Sequence, residues 1–151
     1  MIKVAVISKT PDNWENKEAS LESDALYEKL RIALLNLSRE ETLWLITPLN
    51  RGLETMAATL ALKIGEKVKL ECAIPFEEQA KDWAESERDR YFDIIEKCDK
   101  ENIITYKKFD KSERLCYSYL INEADLILLG TPPSDDIAEL INNSGKKIIE
   151  M

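Results

Sequence analysis

The sequence contains no histidine. That absence removes Ser-His-Asp and Cys-His nucleophilic catalysis, together with any histidine-ligated metal. Cysteine is scarce as well: Cys72, Cys98 and Cys116 are odd in number and widely spaced. They form neither a disulfide framework nor a zinc-ligand spacing, so no metal site is expected, and a reduced cytoplasmic setting fits them best. Four glycines in 151 residues are few, and neither GxGxxG nor GxxxxGK[ST] occurs, which excludes the dinucleotide fingerprint and the P-loop. No apolar run approaches the roughly 20 residues that span a bilayer, so no membrane association is expected. The opening MIKVAVIS has no cationic leader and reads as a strand rather than a signal peptide. A net charge of −8 argues against general nucleic-acid binding, which needs clustered Lys and Arg.

What the chain does have is a regular alternation. Short β-branched runs stand at 2–7, 42–46, 68–74, 102–106, 125–130 and 146–151. Several are apolar on both faces, as buried parallel strands are. Helical stripes lie between them. Leu26, Leu30, Ala33, Leu34 and Leu37 make one, and Leu53, Met56, Ala57, Leu60, Ala61 and Ile64 another, closed by Gly65. The spacing of Ala80, Trp83, Ala84, Tyr91, Ile95 and Cys98 predicts a third helix over 78–98, with Asp93–Lys97 and Glu96–Lys100 as surface pairs. Leu115, Cys116, Tyr119 and Leu120 mark a fourth. A short fifth helix starts at Ser134 as N-cap, with Asp135 and Asp136 in its first turn. Alternation of this kind predicts one α/β domain over 1–151, a doubly wound, Rossmann-like fold with a mainly parallel sheet and strand one central.

Ligands of such sheets sit beyond the carboxyl ends of the strands, here the loops 8–20, 47–52, 74–79, 107–112 and 130–136. The stretch TPLNRGLETMAATLAL places Gly52 and a helix N-terminus directly after a strand, the arrangement that cradles anions. Arg51 offers a planar fork for phosphate or carboxylate, and Glu54 can accept from ribose hydroxyls or an amine. The same residues also suit a plain loop and cap, with Glu54 as a favourable first-turn acid. Lys9 and Thr10, after strand one, can meet an anion or simply be solvated. Trp83 and Tyr91 read more readily as core than as a ligand platform, and the three cysteines as structural thiols.

Taken with PFEEQAKDW, these loops give the chain a resemblance to the SLOG superfamily, in its YpsA-like branch, related to the LOG and DprA groups. In that branch a strand leads into a Ser-Gly-Gly-x-x-Gly-hydrophobic-acid-x-x-Ala-Ala turn and helix. Here Thr47, Gly52, Glu54 and Ala57-Ala58 stand at the matching positions. Pro75, Phe76, Gln79, Trp83, Arg90 and Tyr91 match the family's Pro-Phe-x-x-Gln…Trp…Arg-Tyr pattern, and ADLILLG at 124–130 its penultimate strand. The family's double glycine is replaced by Pro48-Leu49, and its Arg-Asn pair falls on Cys116-Tyr117.

The resemblance implies a nucleotide-derived, ADP-ribose-like or other small anionic ligand. It would lie between Ser8, Lys9 and Thr10, the segment Asn50-Arg51-Gly52-Glu54, and Gly130-Thr131, with Thr47 and Gln79 contributing. Arg51 and Glu54 are expected at the mouth of that cleft. Two other functions are open. One is a protein-interaction module, with a partner or a second copy of the chain. The other is a nucleotide phosphoribohydrolase-like enzyme cleaving an N-glycosidic bond, with Glu54 catalytic and Glu18, Glu22 or Glu77 as a second carboxylate. Proline lacks an N–H and leucine fills space a phosphate would need, so weak binding of dinucleotides is expected.

Overall fold

In the computed structural model every residue of the chain is described except 13, 15 and 16, with backbone alone for 17–24. Six strands form: β1 (Ile2–Ile7), β2 (Leu43–Thr47), β3 (Val68–Phe76), β4 (Lys100–Thr105), β5 (Leu126–Leu129) and β6 (Lys147–Glu150). Five helices lie between them: α1 (Lys17–Ser38), α2 (Leu53–Ile64), α3 (Glu85–Lys97), α4 (Ser112–Glu123) and α5 (Asp135–Asn142). The strand order is β4-β3-β2-β1-β5-β6, and every pairing is parallel. From β1 the chain steps outward to β4, then returns to the other flank of β1 with β5. The order therefore reverses between β1 and β5, and the exits of these two strands open the crevice where ligands of such sheets bind.

Alternation along each strand divides the core into two layers. Val4 and Val6 of β1 face α1, α2 and α3, where Leu30, Leu34, Leu60 and Ile94 meet them. Ala5 and Ile7 face α4 and α5, with Cys116, Leu120, Ile137 and Ile141. Both faces of β1 are thus covered from Val4 to Ile7, which is why that stretch carries no polar alternation. One charge sits in the second layer. Glu71 of β3 is buried and accepts from Trp44 Nε1 at 2.8 Å and from the Tyr119 hydroxyl at 2.5 Å, as a buried carboxylate must. Tyr119 is pushed up to about 12, by burial first and then by this carboxylate.

The helix ends follow the local chemistry of the sequence. Gly65 closes α2 at φ 87°, with its N–H on the carbonyl of Ala61. Ser134 caps α5 by accepting from the N–H of Ile137 at 3.2 Å. The third helix differs from expectation. It begins at Glu85, not near 78, because β3 continues through Pro75 and Phe76 and the chain then folds through tight turns. In these, Gln79, Lys81 and Trp83 each donate to the carbonyl three residues earlier. Asp93 and Lys97 pair at 3.1 Å, whereas Lys100 opens β4 and so loses helical spacing to Glu96. Among the described residues no helix is long and apolar enough to cross a membrane.

The exits of β1 and β5 are stitched together. Gly130 donates to the Ile7 carbonyl at 2.9 Å, and Lys9 to the Thr131 carbonyl at 2.7 Å. A Cβ on Gly130 would collide with Oγ and Cβ of Ser8, so glycine is needed for this close approach. Gly130→Ala should therefore lower stability by about 1–3 kcal/mol, the usual cost of overpacking. Adding Ser8→Ala, which removes the nearest colliding atom, should recover part of that loss. Urea midpoints of the single and double variants check both, and equal midpoints for Gly130→Ala and the parent would contradict the assignment.

Candidate functional site

The turn after β2 is built from two unusual backbone conformations. Leu49 lies at φ 60° and Gly52 at φ 108°. Only glycine takes the second readily, and a Cβ there would also press on Pro11 Cδ at 3.1 Å. Leu49 keeps the left-handed conformation that the missing glycine would supply, and its side chain is fully buried in the first core layer. The leucine therefore does not project into phosphate space, as the sequence suggested. Thr47 locks the turn by donating its hydroxyl to the Glu54 carbonyl at 2.9 Å and accepting from the N–H of Leu49 at 3.3 Å.

Glu54 lies beneath the cleft rather than at its mouth, with no exposed surface. Its carboxylate accepts from the N–H of Ser8 at 3.0 Å, the N–H of Asn50 at 3.2 Å and the Tyr117 hydroxyl at 2.8 Å. Burial pushes this carboxyl up to about 8, against the pull of those three donors. Asn50 Nδ2 donates to the Tyr117 oxygen at 3.0 Å. Gln79 Nε2 in turn donates to Asn50 Oδ1 at 2.9 Å and to the Pro48 carbonyl at 2.8 Å. One hydrogen-bonded chain thus runs from Gln79 through Asn50 and Tyr117 to Glu54. Burial likewise holds the Tyr117 hydroxyl well above its ordinary value.

Arg51 turns the other way. Its guanidinium lies over the Trp83 ring, 5.2 Å from the centroid, and 3.7 Å from Glu87. Glu87 also accepts from Trp14 Nε1 at 2.6 Å. Trp14, Arg51, Trp83 and Glu87 border a cavity of about 260 Å³ floored by Leu49, Met56 and Ile94. A second hollow, about 300 Å³, takes in Ser8, Lys9, Thr10, Gly52 and Thr131. A third, about 460 Å³, joins Lys9, Thr10 and Asn50 to Glu113 and Tyr117. The residues expected to share one site thus fall on either side of Gly52, which borders the first two hollows. Arg51 is not in a hollow with Lys9, and Lys9 pairs with Asp12 at 3.1 Å. Among the described residues, no acceptor meets the N–H groups of Arg51, Gly52 and Leu53.

Four residues at these hollows escaped the sequence reading of the site. Trp14 and Glu87 meet across 73 residues, and Tyr117 stood only as a mismatch to the family pair. Glu113 is the carboxylate that raises Glu54 electrostatically. Desolvation raises the carboxyl of Glu113 too, against the pull of Asn50 and Lys108. Of the carboxylates expected beside Glu54, Glu77 is exposed, while the side chains of Glu18 and Glu22 lie outside the described residues. No group of three or more Cys, Asp and Glu among the described residues could hold a metal ion.

Glu54 makes stability depend on pH. The folded chain holds its proton up to about 8, the unfolded chain only to its ordinary 4.5. The contribution is therefore complete below 4.5 and is lost as pH rises through 8, with a ceiling of about 1.4 kcal/mol per pH unit. Against Glu54→Gln, which has no proton to lose, the parent should weaken from pH 5 to about pH 8 and then level off. Urea unfolding across that range measures the difference, and parallel profiles would count against a raised carboxyl.

Comparison with known proteins agrees with this architecture. The YpsA family model, described as the YspA SLOG family, matches residues 15–131. The UPF0398 protein BH1768 of Halalkalibacterium halodurans is 30% identical over 101 residues, a stretch covering 64% of this chain and 53% of that protein. The match thus spans about half the length of this curated relative. With the family model matching most of this chain, and with the turn-and-helix residues Thr47, Gly52 and Glu54 in place, the chain belongs to the YpsA SLOG family.

Proposed function

We propose that this chain is a small-ligand-binding domain for a nucleotide-derived ligand. The ligand's flat ring would enter the cavity bordered by Trp14 and Trp83, with its anionic group at the turn 51–53. One observation carries the reading: the Arg51 guanidinium stacked over Trp83 beside the Glu87 carboxylate, at the rim of an apolar cavity. A few polar groups at an apolar hollow is the usual make-up of a small-molecule site. At about 260 Å³ the cavity falls just below the roughly 300–1,000 Å³ of such sites. It suits one ring rather than a dinucleotide.

The N–H groups at the start of α2, which meet no acceptor among the described residues, and the helix dipole favour an anion there. A phosphate must nevertheless draw Arg51 from Glu87 and Lys9 from Asp12, which favours one anionic group over several at this turn. The hydrolase reading gains nothing from Glu54, whose oxygens are both engaged inside the protein. A second reading, docking of a protein partner or another copy of the chain, draws on Phe92 and Phe109, 60% and 50% exposed. A cytoplasmic setting belongs with either reading, since all three cysteines are free thiols.

Melting curves with adenosine, AMP, ATP, NAD, ADP-ribose and phosphate test the proposal. A mononucleotide should stabilise by about 2.7 kcal/mol at a hundredfold excess over its Kd and should alter tryptophan emission. Trp83→Ala should cost about 1–3 kcal/mol of binding, the worth of one base–aromatic stack. A panel in which nothing shifts the melting or the emission at millimolar concentration would sink the reading.

A further inference from the structure

A separate groove of about 730 Å³ opens beyond the carboxyl ends of β3 and β4, and Arg51 and Trp83 form the wall it shares with the ring cavity. Its polar features are unevenly satisfied. Gln79, which lines it, is 7% exposed, and its Nε2 is held by two acceptors, Pro48 O and Asn50 Oδ1. That fixes the orientation of the amide, because turning it over would set oxygen against oxygen. Gln79 Oε1 is left as a buried side-chain acceptor with no partner among the described residues. Such an atom calls for an O–H or N–H donor.

The rest of the lining narrows the donor's identity. Lys107 and Lys108 line the groove and are exposed. No carboxylate among the described residues pairs with them, and the Lys108 ammonium sits 5.2 Å over the Phe76 ring. Tyr106, 72% exposed, and Phe76 supply aromatic surface on which the C–H face of a saturated ring can rest. The carboxylates Glu77, Glu78 and Asp82 line the groove as well, and Glu78 faces Lys81 at 3.7 Å. A ligand with hydroxyls and one anionic group suits this mixture better than a polyanion does.

We infer that this groove binds a sugar phosphate, with a ring hydroxyl donating to Gln79 Oε1 and the phosphate on Lys107 and Lys108. The inference deepens the ligand-binding reading above and rests on it for the other half of the ligand: Arg51 and Trp83 would divide ring from sugar. The phosphate on Lys107 and Lys108 would be a second anionic group, distinct from the one at the turn 51–53. Because Oε1 is buried, its lining must shift locally as the hydroxyl enters.

Gln79 is the only glutamine in the sequence, so the full chain labelled with nitrogen-15 in glutamine side chains gives a single amide pair. Ribose 5-phosphate and glucose 6-phosphate should move that pair saturably, more strongly than inorganic phosphate or the free sugars. Lys107→Ala with Lys108→Ala, both exposed, should weaken the effect by about tenfold. An unmoved pair, as when a water molecule alone meets Oε1, overturns the inference, and so does a shift by inorganic phosphate of equal strength. If adenosine still changes tryptophan emission in that case, the ring cavity stands without the groove. If sugar phosphates move the pair while no base-bearing probe touches the tryptophans, the groove stands and the ring reading falls.

Discussion

The buried carboxylate of Glu54 is the constraint on which the strand exits depend. A carboxylate without contact with water must have donors, and these come from three places in the chain. Ser8 supplies one at the end of β1, Asn50 one in the turn after β2, and Tyr117 one from α4. Tyr117 belongs to the layer on the opposite face of the sheet from α2. The bond therefore ties the two helical layers together around the strand ends. Losing any donor would leave a buried carboxyl oxygen unmet, which costs more than an ordinary hydrogen bond returns.

The same constraint decides what faces outward. With the acid of the turn turned inward and Asn50 committed to Tyr117 and Gln79, Arg51 extends to the surface, where Trp83 and Glu87 receive it. The candidate site is thus not one crevice but three neighbouring hollows and a groove. Gly52 stands between the first two hollows, and Arg51 with Trp83 between the first hollow and the groove.

Much of the fold was legible because its signals are local. The β-branched runs, Gly65 at the end of α2 and Ser134 at the start of α5 are effects of a few neighbouring residues, and they hold. The start of α3 was not legible. Ala80 and Trp83 have helical spacing, but they stand in successive three-residue turns, which share that spacing. The site was read least well where it depends on distant pairings. Neither Trp14 with Glu87 nor Glu54 with Tyr117 has a sequence signature, since 73 and 63 residues separate the partners. Leu49 shows a further limit. Its torsion angle is the one a glycine would be expected to supply, carried by a residue that a search for glycines passes over.

The return of the chain to β1 has a consequence for how the molecule assembles. Val4 pairs with Leu126, across 122 residues, whereas Ile2 pairs with Leu43 across 41. The closure entropy of a loop grows with the logarithm of its length, so the threefold longer loop costs about 1 kcal/mol more. Neighbouring strands from β1 to β4 can zip in succession, each on a short crossover. The seam between β1 and β5 has no such short route and must wait for a distant segment. Ser8, Lys9, Gly130 and Thr131 lie on that seam, so the crevice is completed only when the two ends of the chain have met.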